Sequence, residues 1–144
     1  MKYKILLLLF LFGLYNCGQQ PTTVSGDLKD EILKITDPIV DNILTSYNDG
    51  KYENYSKDFD DNFKKILTAE KFKEVHSMML SKIGKFKQDT KKVVTVQQSG
   101  QYFQIVYSVE FEKDNAVKVR VVYKKADDNK KNQIAALYFK SDKF

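Results

Sequence analysis

The stretch FQIVYSVEF, residues 103–111, alternates apolar and polar side chains almost without a break. Side chains of a strand point to opposite faces with a period of two, so Phe103, Ile105, Tyr107, Val109 and Phe111 share one face. The run VKVRVVY at 117–123 repeats the pattern, with Val117, Val119, Val121 and Tyr123 set against Lys118 and Arg120. Each strand therefore has one face to bury and one wetter face, as in an antiparallel sheet covered on one side. Asp114–Asn115 lies between the two runs and predicts a tight hairpin turn. KKVVTVQQ at 91–98 and QIAALYF at 133–139 add flanking strands, for at least four in all; Ser99–Gly100 and the 127–132 stretch supply the remaining turns.

Upstream, the period changes. Leu28, Ile32, Ile35, Ile39, Ile43 and Tyr47 recur at spacings of three and four, which predicts a helix with one apolar face. Pro38 either kinks that helix or, with Asp37, opens a second one. Asn48-Asp49-Gly50 ends it, Gly50 being suited to a left-handed cap. Tyr52, Tyr55, Phe59, Phe63 and Leu67 continue the same spacing over one or two short helices. Thr68 is placed as an N-cap, with Glu70 in the first turn, for a helix that runs to Gly84. Helices first and an antiparallel meander after is an α+β order. The helices must cover the apolar face of the sheet, because neither half can bury its own stripe alone.

The N-terminus reads differently. Lys2 and Lys4 precede eight unbroken apolar residues, Ile5 to Phe12, followed by Gly13-Leu14-Tyr15. This is the charged region and apolar run of a signal peptide. It is too short for a membrane-spanning helix, which needs roughly 20 apolar residues. Leu14-Tyr15-Asn16-Cys17 resembles a bacterial lipobox, in which a leucine three residues before a cysteine directs acylation of the thiol and cleavage in front of it. Asn16 stands where a small residue is usual. Cys17 is the single cysteine, so no disulfide can form within the chain. The reading divides the chain into a signal peptide at 1–16, a lipidated cysteine and flexible tether at 17–26, and one α+β domain at 27–144. The expected location is outside the cytoplasm, anchored by lipid to the bacterial cell membrane or envelope.

Removing Lys2 and Lys4 from the 24 basic residues leaves 22 against 19 acidic ones. Acids and lysines are interspersed along most of the chain, which gives a solvated surface and no expectation of nucleic-acid binding. KKADDNKKN at 124–132 contains two aspartates and two asparagines and reads as a turn.

SYNDGKYENYSKDF, then FKEVHSMMLSKIGKFK, then a meander ending AALYFK resembles the small uncharacterised bacterial domains of DUF3887-like type, with a cystatin-like or NTF2-like fold. The resemblance rests on Asn48, Asp49, Gly50 and Tyr52 after the first helix, on Ile83, Gly84 and Lys85 closing the last one, and on Ala136, Leu137, Tyr138 and Phe139 in the final strand. It covers roughly residues 28–140. It implies helices packed into a curved sheet, forming a cone that holds a ligand, hosts an acid–base pair or is simply filled.

Candidate chemistry is sparse. His76, the single histidine, falls inside the apolar arc of the 68–83 helix, either as a general base at the cone floor or as a core residue with one hydrogen bond. No carboxylate is spaced to orient it, and a catalytic site ordinarily shows more than one such group. Tyr47, Tyr55, Tyr107 and Tyr123, with His76, are the candidate pocket residues, their hydroxyls giving a ligand its orientation. Asp58, Asp60 and Asp61 resemble half a calcium loop, but the central glycine and closing glutamate are missing. With no glycine-rich phosphate loop and no metal-ligand spacing, no metal and no cofactor are expected. The leading expectation is a membrane-anchored module holding a small or lipidic ligand in the cone. The alternative is a lipoprotein that docks an envelope protein through the outer sheet face, with Val106, Val122 and Ile134 as its apolar contacts. An enzyme using His76 comes a distant third.

Overall fold

A computed structural model describes residues 20–125 and 133–144. Cys17, Leu14 and the signal-peptide reading lie outside the described residues, as does the 127–132 turn. The element order is β1 (Thr22–Thr23), α1 (Gly26–Asp49), α2 (Tyr52–Tyr55), α3 (Asp61–Ile66), α4 (Ala69–Lys82), β2 (Lys92–Ser99), β3 (Tyr102–Phe111), β4 (Asp114–Lys124) and β5 (Gln133–Lys140). The strands form one antiparallel sheet in the order β1-β2-β3-β4-β5. The fold is therefore α+β, with helices preceding a curved, open sheet.

The expected tether is ordered in part. Thr22 and Thr23 pair with Gln98 and Gln97, the Val24 N–H donates to the Val96 carbonyl at 2.8 Å, and Val24 is buried. The stretch is polar and expected to be flexible, but its one valine finds the core and its threonines complete a sheet edge.

α1 is a single helix, with Pro38 inside it on the exposed side. The carbonyl that Pro38 leaves without a helical donor can turn to water there. The buried stripe is rotated from the expected one: it runs Ile32, Thr36, Val40, Ile43, Leu44 and Tyr47, while Leu28 is 37% exposed. Thr36 can lie on this stripe because its hydroxyl donates to the Ile32 carbonyl at 3.0 Å. Gly50 ends the helix at φ 65°, in the left-handed region that glycine reaches without steric cost. Thr68 caps α4, its hydroxyl accepting from the Lys71 N–H at 3.4 Å.

The alternation read in β3 and β4 is observed: Phe103, Ile105, Tyr107, Val109, Phe111, Val117, Val119, Val121 and Tyr123 are all buried at 2% exposure or less. Three register shifts modify the ladders. In β2 the shift falls between Val93 and Thr95 and leaves Val94 extra and 53% exposed. Between β4 and β5 the extra residue is Ala135, which turns Ile134 inward, so that Ile134 and Leu137 are both buried. Ile134 is therefore a core residue, not an outer-face contact. The β3–β4 turn is Glu112–Lys113, earlier than Asp114–Asn115. Asp114 instead accepts from the Ala116 N–H at 2.8 Å, pinning the start of β4.

The loop after α2 closes the far edge of the sheet. The Ile134 N–H donates to the Asp58 carbonyl at 2.7 Å, and the Asp60 N–H donates to the Ile134 carbonyl at 2.9 Å. Asp60 also caps α3 by accepting from the Phe63 N–H at 2.7 Å, so the half calcium loop is a capping turn. One continuous apolar core joins α1 to α4 and the inner sheet face.

Candidate functional site

Each tyrosine expected to line a pocket has a distinct place, and they do not converge. Tyr47 is buried, and its hydroxyl donates to the Gly84 carbonyl at 2.9 Å. Tyr107 is fully buried, and its hydroxyl donates to Asp37 Oδ1 at 2.9 Å, with Thr36 Oγ1 at 3.3 Å. Tyr55 packs edge-on to Phe59 and against Phe72, with ring centroids at 5.4 and 4.6 Å. The Tyr123 hydroxyl is buried with no hydrogen-bond partner among the described residues. Loss of hydration holds the phenols of Tyr47, Tyr55 and Tyr107 far above the ordinary tyrosine value.

His76 is half-buried. Its Nε2 lies 2.7 Å from the Tyr47 carbonyl oxygen, and in the tautomer protonated there it donates to the C-terminal end of α1. Its ring stacks on Phe72 at 5.3 Å and meets Tyr47 edge-on at 5.1 Å. Among the described residues no carboxylate bonds to it. His76 thus serves as a helix-end donor wedged between aromatic rings.

Of the expected pocket residues, Tyr55 lines an open cleft. This cleft lies between the short helices, α4 and β5, with Leu67, Met78, Met79, Leu137 and Phe144 among its walls. Its volume is about 60 Å³, and the residues around it are almost all apolar. Pockets for drug-sized ligands run to several hundred Å³, so the space suits part of an apolar side chain at most.

A polar cluster joins α1 to the sheet. Lys91 Nζ lies 2.7 Å from Asp41 Oδ1 and 3.5 Å from Asp37 Oδ1, and 5.2 Å over the Tyr107 ring. Sequence spacing could suggest the Asp37–Asp41 pair, four apart on a helix, but nothing in it reveals Lys91, far away in sequence. With its charges paired, the cluster acts as a clamp.

The outer sheet face was legible only as alternation. Register now aligns its side chains in rows. One row runs Lys92, Ser108, Lys118, Lys140 across four strands; the next runs Thr95, Val106, Arg120, Tyr138. The Arg120 guanidinium sits 4.4 Å over the Tyr138 ring, and Lys118 Nζ donates to Ser108 Oγ at 2.9 Å. Val106 and Val122, expected on this face, are there and half-buried by their neighbours.

Among the described residues no group of three or more His, Cys, Asp or Glu is arranged to hold a metal, and no helix is long and apolar enough to cross a membrane. These features define an α+β protein with an apolar core under one sheet face and, among the described residues, no helix over the other, more polar face. A family model described as "Protein of unknown function (DUF3887)" matches residues 40–137, more than half of the chain, and the chain belongs to that family. The match begins within α1 and ends in β5. No curated protein and no solved structure matches the chain.

Proposed function

We propose that this protein is a bacterial envelope lipoprotein, anchored through Cys17, built on a cystatin-like or NTF2-like cone, and working by surface docking through the outer face of its sheet. The interior carries this reading. The Tyr47 and Tyr107 hydroxyls are committed to Gly84, Asp37 and Thr36, His76 is committed to Tyr47, and the cleft beside Tyr55, of about 60 Å³, is apolar and small. The expectation of a ligand held in the cone by tyrosine hydroxyls thus loses its support, whereas no described helix lies over the outer face.

The test is native mass spectrometry of residues 17–144 carrying Cys17→Ser, purified without added lipid. A bare protein mass is expected. A discrete added mass that is lost on denaturation would overturn the filled-core reading and restore the small or lipidic ligand. The anchor is tested separately by metabolic labelling with a palmitate analogue. Cys17→Ser should abolish the label, and a mature chain beginning elsewhere than Cys17 would overturn the lipoprotein reading.

A further inference from the structure

We infer that the outer face of the sheet binds an anionic lipid surface through the row formed by Lys92, Lys118 and Lys140. The inference rests on the docking reading above and names the partner of that face.

The argument begins with register. Lys118 and Lys140 are direct cross-strand partners, and Lys92 reaches the same row through Ser108. Like charges directly opposite one another destabilise a sheet. A folded protein that gathers three lysines from three strands into one row gains if an anion lies over them. Arg120 and Lys124 extend the positive field along β4. None of these five cations has an ion pair among the described residues; the pairs present involve Lys87, Lys91 and Lys125. Strands β2 to β5 carry two carboxylates, Glu110 and Asp114, and both are engaged, with Lys87 and with Ser141.

The kind of cation narrows the partner. Four of the five are lysines, compact point charges on flexible stems that suit headgroup phosphates in no fixed geometry; arginine forks are the usual device for a defined carboxylate. The aliphatic residues that follow in the neighbouring rows are small, Val106, Val122 and Ala136, and do not form the bulky anchor cluster of a tight protein interface. Tyr138 and Tyr102 on the same face are amphipathic rings of the sort that settle at headgroup depth.

The anchor would add reach. From Cys17 to Thr22 the chain spans at most about 18 Å even when fully extended. That would hold the β1 edge near the bilayer and let the sheet face lie down on it. A lipid chain plus a basic patch is the two-signal arrangement that gives stable membrane attachment. Each basic side chain close to an anionic leaflet contributes roughly a five-fold gain in affinity, so three contribute roughly 100-fold.

The experiment uses residues 17–144 with Cys17→Ser, so that no acyl chain contributes, in flotation with vesicles containing one-third phosphatidylglycerol or phosphatidylcholine alone. Binding to the anionic vesicles only, weakened by added salt, is expected. The triple variant K92Q/K118Q/K140Q should lose roughly 100-fold in affinity while keeping or raising its thermal midpoint. The triple variant K34Q/K65Q/K73Q removes the same charge from exposed helix positions and should bind like the parent. Equal losses in the two triple variants, absence of vesicle binding, or tighter binding to polyglutamate or duplex DNA than to the vesicles would each overturn the proposal. Failure here with a bare native mass leaves the docking reading standing with another partner; a retained ligand overturns that reading itself.

Discussion

The side-chain amide of Asn48 pairs with the backbone of Phe86 in both directions: Nδ2 donates to the Phe86 carbonyl at 2.8 Å, and Oδ1 accepts from the Phe86 N–H at 2.8 Å. One side chain thus acts as a strand neighbour for a single residue and fixes the loop leaving α4 against the end of α1. Asn48→Ala removes both bonds and leaves two part-buried backbone groups unpaired, at a cost of about 1–3 kcal/mol. Asn48→Asp keeps the acceptor but turns a carboxylate oxygen toward the Phe86 carbonyl, and should cost at least as much at neutral pH. Urea denaturation of the three proteins checks this; an unchanged midpoint in Asn48→Ala would show that the pairing contributes nothing.

Two buried tyrosines should respond in opposite ways to losing a hydroxyl. Tyr107→Phe strips a donor from Asp37 and should destabilise by about 1–2 kcal/mol. Tyr123→Phe removes a buried hydroxyl that has no partner among the described residues, and should be neutral or stabilising by up to about 1 kcal/mol. Thermal midpoints measured side by side decide it. If Tyr123→Phe is the more costly, that hydroxyl has a bonding role.

Gly50 and His76 are coupled. A Cβ built on Gly50 would lie 3.1 Å from His76 Cε1, and the backbone there has φ 65°. Gly50→Ala therefore combines left-handed strain, roughly 1–2 kcal/mol, with a ring contact that must give way. In a His76→Ala background the contact disappears while the strain remains. A double-mutant cycle should show Gly50→Ala costing measurably less in that background; strict additivity would show that the imidazole moves aside freely.

Alkaline pH should unfold the protein through its phenols. The folded state holds Tyr47, Tyr55 and Tyr107 protonated well above the ordinary phenol value, chiefly because burial strips the phenolate of water. The unfolded chain releases those protons near pH ~10. The folded form then binds more protons, so stability is complete below about pH 10 and falls as pH rises beyond it. An ultraviolet phenol titration should show Tyr47, Tyr55 and Tyr107 ionising only as the circular dichroism signal collapses. Simultaneous early ionisation of every tyrosine would contradict the burial described here.

Local chemistry was the part of this fold most open to reading. The faces of β3 and β4, the Gly50 stop and the Thr68 cap each follow from a few adjacent residues. What escaped depends on partners remote in sequence. Thr36 joins the buried stripe because Ile32 and Tyr107 satisfy its hydroxyl, which no hydropathy pattern reports. Ile134 points inward because Ala135 is an extra residue in the ladder, and one insertion reverses an alternation. Of the candidate site, the individual tyrosines and His76 were visible as aromatic or apolar-face residues, but their hydrogen-bond partners, Gly84, Asp37 and the Tyr47 carbonyl, lie in other elements. The row of Lys92, Lys118 and Lys140 exists only once three strands are in register.

The two-residue strand β1 also gives the molecule a load path. A pull on the chain ahead of Gln20 enters the domain at Thr22 and Thr23 and meets their short pairing with β2 before it reaches α1. Val24 adds one backbone bond and one buried side chain. Peeling those few contacts would release a few residues of slack, roughly 3.5 Å each, and leave the α1 stripe of Ile32 to Tyr47 seated. A pull on the N-terminal edge would therefore break the few β1 contacts before it strained the core behind them.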